Sequence, residues 1–163
     1  MKQLSIFQEE KQLKTCVFTG HRELPLDFPK RKLKNTLEEL ISLGVDTFLC
    51  GMAVGFDLLA AETVLSLRKK HPKIKLVACI PCIGQEKYFS KADQKRYVAA
   101  VKKADKQVVL ADSYYRGCMQ ARDKYMAERG DVMVAYCTKT EGGAAYTVRC
   151  FRKLYPDAEI IFL

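Results

Sequence analysis

Thr47-Phe48-Leu49-Cys50-Gly51-Met52-Ala53-Val54-Gly55-Phe56-Asp57-Leu58-Leu59-Ala60-Ala61-Glu62 is the stretch from which the fold of this chain is read. Its first four residues are the end of a buried strand, and from Phe56 to Leu67 apolar residues recur at helical spacing. Gly51 and Gly55 therefore fall in a strand, glycine loop, helix junction. Such a junction turns tightly and exposes main-chain N–H groups, with the positive end of a helix dipole behind them. An anion, most often a phosphate, is what it holds best. Gly51, Met52, Ala53 and Gly55 are the expected backbone cradle. The loop lacks the Gly-Lys-Ser/Thr ending of nucleoside triphosphatases and the Gly-x-Gly-x-x-Gly dinucleotide pattern, which disfavours ATP hydrolysis. Asp57, in the first helical turn, reads equally well as a partner for a ribose hydroxyl or as a helix cap.

Upstream, 14–19 is a first strand and 20–26 a loop longer than usual; Asp27 is expected to cap a helix running to Leu43 and closed by Gly44. In this loop Thr19, Gly20, His21 and Arg22 are candidate ligand contacts, with His21 and Arg22 as donors to phosphate or carboxylate. Downstream, the second helix reaches about Lys70, and Pro72 ends it. A strand at 74–80, an irregular stretch at 81–89, a helix capped by Ser90 and a strand at 107–111 follow. Arg116 and Arg122 lie in and after the next loop, where Tyr114 and Tyr115 could stack on a base or simply pack. A helix at 119–129 and a nearly all-apolar strand at 132–137 precede a second glycine junction, with Gly142, Gly143 and Thr147 as candidate contacts. A helix to Leu154 and a strand at 160–163 end the chain. The alternation implies one Rossmann-like domain at 14–163, three-layer α/β/α with a mostly parallel sheet, preceded by an N-terminal extension at 1–13.

The net charge of +9 invites a nucleic-acid partner, but Arg68, Lys69, Lys70, Lys102 and Lys103 sit at helix ends, where they complement the dipole. No apolar run approaches the roughly 20 residues that cross a bilayer, and the start of the chain does not resemble a signal peptide. A cytoplasmic protein without membrane partners is the expectation. Seven cysteines, most of them in apolar stretches, fit reduced thiols. Cys79-Ile80-Pro81-Cys82 has redox spacing but begins inside a strand, and no second close pair supports a metal site. Because all three loops follow strands of a parallel sheet, they gather at one carboxyl edge, where a nucleotide-sized ligand binds.

Thr19-Gly20-His21-Arg22, Gly51 to Asp57 with Ala60-Ala61-Glu62, Arg116-Gly117-Cys118-Met119 with Arg122, Tyr125 and Met126, and Gly142 to Val148 together resemble the YpsA-like family of the SLOG superfamily. That Rossmann-like group also contains the Lonely Guy phosphoribohydrolases and DprA, and the similarity runs from about Cys16 to Leu163. The resemblance implies glycine-bearing loops that bind a nucleotide or nucleotide-derived ligand, ADP-ribose-like or NAD-like, in a sensing or regulatory role linked to bacterial cell division. It also implies an amide where Asp123 stands. In the Lonely Guy pattern Pro-Gly-Gly-x-Gly-Thr-x-x-Glu, Gly142 and Gly143 match, but Arg149 occupies the position of the Glu. A cation cannot stabilise positive charge developing on ribose, so the reading leans away from catalysis. Nucleotide binding without a required cofactor leads; N-glycosidic hydrolysis through Asp57 or Glu62 is the alternative. DNA binding stands third, thiol redox chemistry at Cys79 and Cys82 last, and a homo-oligomer is compatible with the sequence.

Overall fold

Val17 and Phe18 show how one strand serves two cores, because successive side chains of a strand point to opposite faces. Phe18 packs with Leu33, Leu37, Phe48 and Phe56, whereas Val17 packs with Met126, Met133 and Phe151. Both residues are fully buried, as a sheet covered on both faces requires. The structure, a computed structural model, describes residues 12–163, so most of the expected extension at 1–13 lies outside the described residues.

Six strands form one sheet: β1 (Thr15–Gly20), β2 (Thr47–Cys50), β3 (Lys75–Ile80), β4 (Lys106–Val109), β5 (Val132–Tyr136) and β6 (Ile160–Phe162). Their spatial order is β4-β3-β2-β1-β5-β6 and every pairing is parallel. The helices are α1 (Lys30–Ser42), α2 (Phe56–Leu67), α3 (Lys91–Lys103), α4 (Cys118–Arg129) and α5 (Gly143–Leu154), with a 3₁₀ turn at Gln85–Tyr88. The cluster around Phe18 takes in α1, α2 and α3; the cluster around Val17 takes in α4 and α5. Two helical layers thus enclose the sheet, a three-layer Rossmann-like α/β/α domain with a wholly parallel sheet. From β1 to β4 the chain steps outward in one direction, and after α4 it returns to place β5 against β1, in register Gly20 to Tyr136. The strand order therefore reverses between β1 and β5, and such a switch point opens a crevice beyond the strand ends.

Local signals explain the helix boundaries. Ser90 caps α3, its hydroxyl accepting from Asp93 N at 3.1 Å. Ser90→Ala is expected to cost about 1 kcal/mol, measurable by urea denaturation. Asp27 is not a cap, contrary to expectation: α1 begins at Lys30 after Pro29, without a side-chain cap. The residues before it form a turn in which Phe28 N donates to Pro25 O at 3.0 Å, and Asp27 stays exposed. Strand β4 also ends earlier than 107–111 suggests, at Val109 on the sheet edge.

All seven cysteines are free, and Cys16, Cys50, Cys79, Cys82 and Cys118 are buried. Burial pushes the Cys79 thiol up to about 12, which withholds the thiolate that redox exchange needs. Among the described residues no helix is long and apolar enough to cross a membrane, and no cluster of His, Cys, Asp and Glu could hold a metal ion.

Candidate functional site

Strand β1 ends at Gly20 and β5 at Tyr136, and beyond them lies a cavity of about 750 Å³ at the switch point. Gly20, His21 and Arg22 form one wall, and Ala53 and Asp57 close the floor beside α2. Tyr114, Arg116 and Gly117 with Arg122 and Asp123 of α4 form a second wall; Lys139, Gly142 and Gly143 lead into α5 on the third.

Three helices start at this cavity, and each is entered through a glycine with positive φ: Gly55 for α2 (80°), Gly117 for α4 (99°) and Gly142 for α5 (102°). None of the three has a side-chain cap, in contrast to Ser90 on α3. The first N–H groups of an α-helix have no partner within the helix, and the dipole makes that end positive. Three N-termini without side-chain caps, together with Arg22, Arg116 and Lys139, give the cavity positive walls suited to an anion; Glu141 also lines it. Helix α5 presents its first N–H groups most freely, since Phe56 N of α2 donates to His21 O and Cys118 N of α4 to Tyr115 O.

Asp57 is the counterweight. It is 7% exposed; its Oδ2 accepts from Ala53 N at 3.2 Å, and its buried Oδ1 has no hydrogen-bond partner. Burial pushes its carboxyl up to about 6, against the opposing pull of the Arg122 guanidinium. Asp57 lines the cavity, and its buried, unpaired oxygen leaves acceptor capacity there that no protein group uses. Arg122, 4% exposed, is fixed by Asp123 Oδ1 at 2.7 Å and by Gly51 O. It thereby ties α4 to the end of β2. Asp123, where the resemblance implied an amide, is the carboxylate that holds this arginine.

His21 enters differently from expectation. Its Nε2 accepts the Thr138 N–H at 2.8 Å, so the ring is neutral and joins the loop after β1 to the loop after β5 across the switch point. Partial burial, reinforced by Lys139, lowers its pKa and favours that neutral form. His21 is therefore an acceptor at Nε2, not a donor to phosphate from that atom.

Other expected contacts lie behind the cavity wall. Thr147 is buried and donates its hydroxyl to Gly143 O at 2.9 Å, one turn back in α5, so it is not a ligand contact. Thr19 is buried within β1, and Met52 is buried with a positive φ of 63°. Gly51 and Gly55 serve packing. A Cβ on Gly51 would meet the Arg122 guanidinium, and one on Gly55 would overlap the backbone of Arg22. Gly20, His21, Arg22, Ala53, Asp57, Arg116, Arg122, Gly142 and Gly143 do line the cavity. Glu62 is paired with Arg96 of α3 at 2.6 and 3.0 Å and lies away from the cavity, so it is no catalytic candidate. Arg149 braces the loop after β5 by donating to Thr140 O at 3.0 Å.

A sequence model described as the YspA SLOG family matches residues 4–159. The chain belongs to the YspA SLOG family. A UPF0398 protein of Halalkalibacterium halodurans is 28% identical over 137 residues, covering 82% of this chain and 72% of that one. The UPF0398 protein YpsA of Bacillus subtilis is 24% identical over 147 residues, covering 82% of each chain. Among solved structures, DNA processing protein A of Helicobacter pylori, described by its single-stranded DNA binding mode, matches with a TM-score of 0.65 at 17% identity. That match covers 93% of this chain and 65% of the Helicobacter chain. DprA of Streptococcus pneumoniae matches with a TM-score of 0.60 at 13% identity, over 91% of this chain and 58% of that one. At those identities the likeness is one of fold, and this YspA SLOG chain spans under two thirds of either DprA chain's length.

Sequence reasoning missed Gly117 as the third helix entry and Lys139 as a cavity cation. Gly117 sits two residues before the helix expected at 119–129 and could have been read as its entry. Lys139 carried no pattern at all.

Proposed function

We propose that this protein binds a nucleotide-derived ligand at the β1/β5 switch point. Phosphate oxygens lie against Gly142, Gly143 and the start of α5, and a ribose hydroxyl donates to Asp57 Oδ1. The observation that carries the reading is the meeting of three glycine-led helix N-termini, none with a side-chain cap, on one cavity. A sensing or regulatory role fits better than catalysis: Asp123 is engaged in holding Arg122, Asp57 is the buried acceptor of the binding reading, and Glu141 is an exposed carboxylate on a cavity wall.

Gly143 supplies the test. A Cβ there would meet no atom within 4 Å, so the fold does not need glycine at this position, yet the residue lines the cavity. Gly143→Val should leave the melting temperature within a few degrees of wild type. It should weaken binding of AMP, ADP, ADP-ribose or NAD at least tenfold in titration calorimetry. Heat from none of the four with wild type, or equal binding by the variant, would reject the proposal.

One observation favours a second reading, single-stranded nucleic acid. The DprA neighbour is described by its single-stranded DNA binding mode, and here Tyr114 stands 68% exposed beside Arg116 and Arg22. Aromatic faces beside cations suit stacked bases. It predicts retention on single-stranded DNA that falls steeply with salt, lost in Tyr114→Ala with Arg116→Ala. Hydrolysis through Asp57 would appear as free base released from AMP.

A further inference from the structure

A second cleft of about 780 Å³ opens between the stretch 82–90 and the loop before α4, and shares Arg22, Ala53, Tyr114 and Met119 with the first. The two meet over the Gly51–Ala53 turn, whose Gly51 carbonyl is the common anchor: it accepts from Arg122 on one side and from Gln85 Nε2, at 2.9 Å, on the other. A carbonyl has two lone pairs, so both bonds coexist.

Gln85 lines this cleft and is 8% exposed, yet its buried Oε1 has no hydrogen-bond partner. The orientation of the amide is set by its neighbour. An amide oxygen turned toward the Gly51 carbonyl would repel it, so Nε2 must face that carbonyl and Oε1 must be the free acceptor. A buried acceptor without a donor is costly, and in a cleft it selects a ligand that brings an N–H. Tyr114 and Tyr88 add exposed aromatic faces on the same cleft, which suit a planar ring.

We infer that the 82–90 cleft is the base subsite of the same ligand and that Gln85 selects an amino-bearing base of the adenine type. The inference rests on the nucleotide reading above. The ligand then runs from its phosphate at Gly143, through its ribose at Asp57, to its base against Gln85 Oε1. An exocyclic amine, as on adenine, donates to that oxygen; the carbonyl of hypoxanthine at the same position would face it acceptor to acceptor. Sites built around a buried polar group discriminate strongly against partners that leave it unpaired.

Titration calorimetry with ribose 5-phosphate, AMP and IMP tests this. Wild type should bind AMP at least tenfold more tightly than IMP and than ribose 5-phosphate. Gln85→Met should bring AMP and IMP within twofold of each other while leaving ribose 5-phosphate unchanged. Tyr88→Ala, at an exposed residue that lines this cleft and not the first, should weaken AMP several-fold and ribose 5-phosphate not at all. It decides the matter if Gln85→Met does not fold. Equal affinity of wild type for AMP and IMP, or an AMP preference that survives Gln85→Met, would overturn the inference while ribose 5-phosphate binding, blocked by Gly143→Val, kept the underlying reading intact. Failure of all three ligands to bind would overturn both.

Discussion

Asp57→Asn is expected to stabilise the ligand-free protein by about 3 kcal/mol at pH 8 and to abolish most ligand affinity. The sign follows from burial. Folding raises the carboxyl from its ordinary 3.8 to about 6, because the ionised form loses its water and only partly regains it from Arg122 and Ala53 N. The native state therefore holds the Asp57 proton more tightly than the unfolded chain does. The associated stability is fully present below pH 3.8 and is lost as pH rises through about 6. Asparagine removes the ionisation while keeping an oxygen for Ala53 N. The difference between variant and wild type should be near zero at pH 4 and grow to its full size by pH 7 to 8, measured by urea denaturation across that range. A hydroxyl donated to Oδ1 favours the carboxylate, so wild-type affinity should be about tenfold weaker at pH 5 than at pH 7.5, with proton release seen by calorimetry in two buffers. A stability difference independent of pH would show that Asp57 is not the titrating group. A stabilised variant that still binds ligand normally would place the ribose elsewhere.

The layers, the strand sequence and the three loops were legible because they depend on local periodicity. Buried strands such as Val132–Tyr136 are apolar throughout, and Gly142 and Gly143 mark a helix entry. What was not legible depends on contacts between distant parts of the chain. Gly51 and Gly143 look equivalent in sequence, yet a side chain on Gly51 would meet Arg122, 71 positions away, while Gly143 faces open space. In sequence Thr147 reads as a contact of the second glycine junction; because α5 already starts at Gly143, it sits one turn inside the helix and turns its hydroxyl back to the backbone. Gln85 lay in a stretch without periodicity, and only its position beside the Gly51 carbonyl gives it meaning. Sequence shows His21 beside Arg22 and so as a donor to phosphate or carboxylate; the Thr138 N–H that makes its Nε2 an acceptor comes from a loop 117 positions later.

Gly55→Ala is the second large effect, and it separates a glycine that holds the site together from one that leaves room for ligand. Gly55 has φ 80° and ψ −121°, a backbone region that residues with a Cβ rarely adopt, at a cost of order 1–3 kcal/mol. The added methyl would also overlap the carbonyl of Arg22 and lie 2.6 Å from His21 O. Those are backbone atoms, so the whole β1–α1 loop must move. That movement would strain the Phe56 N to His21 O bond of 3.0 Å and the His21 to Thr138 link across the switch point. The combined loss is expected to be about 3–5 kcal/mol, a fall of roughly 10–15 °C in melting temperature for a chain of this size. Gly143→Ala is the control: its methyl meets nothing, and alanine suits a first helical turn at least as well as glycine, so its melting temperature should not fall. Thermal melts of the two alanine variants side by side check the contrast. Were Gly55→Ala to melt within about 3 °C of wild type, less than 1–2 kcal/mol would hold the loop, and Arg22 would not be fixed against the cavity by this contact.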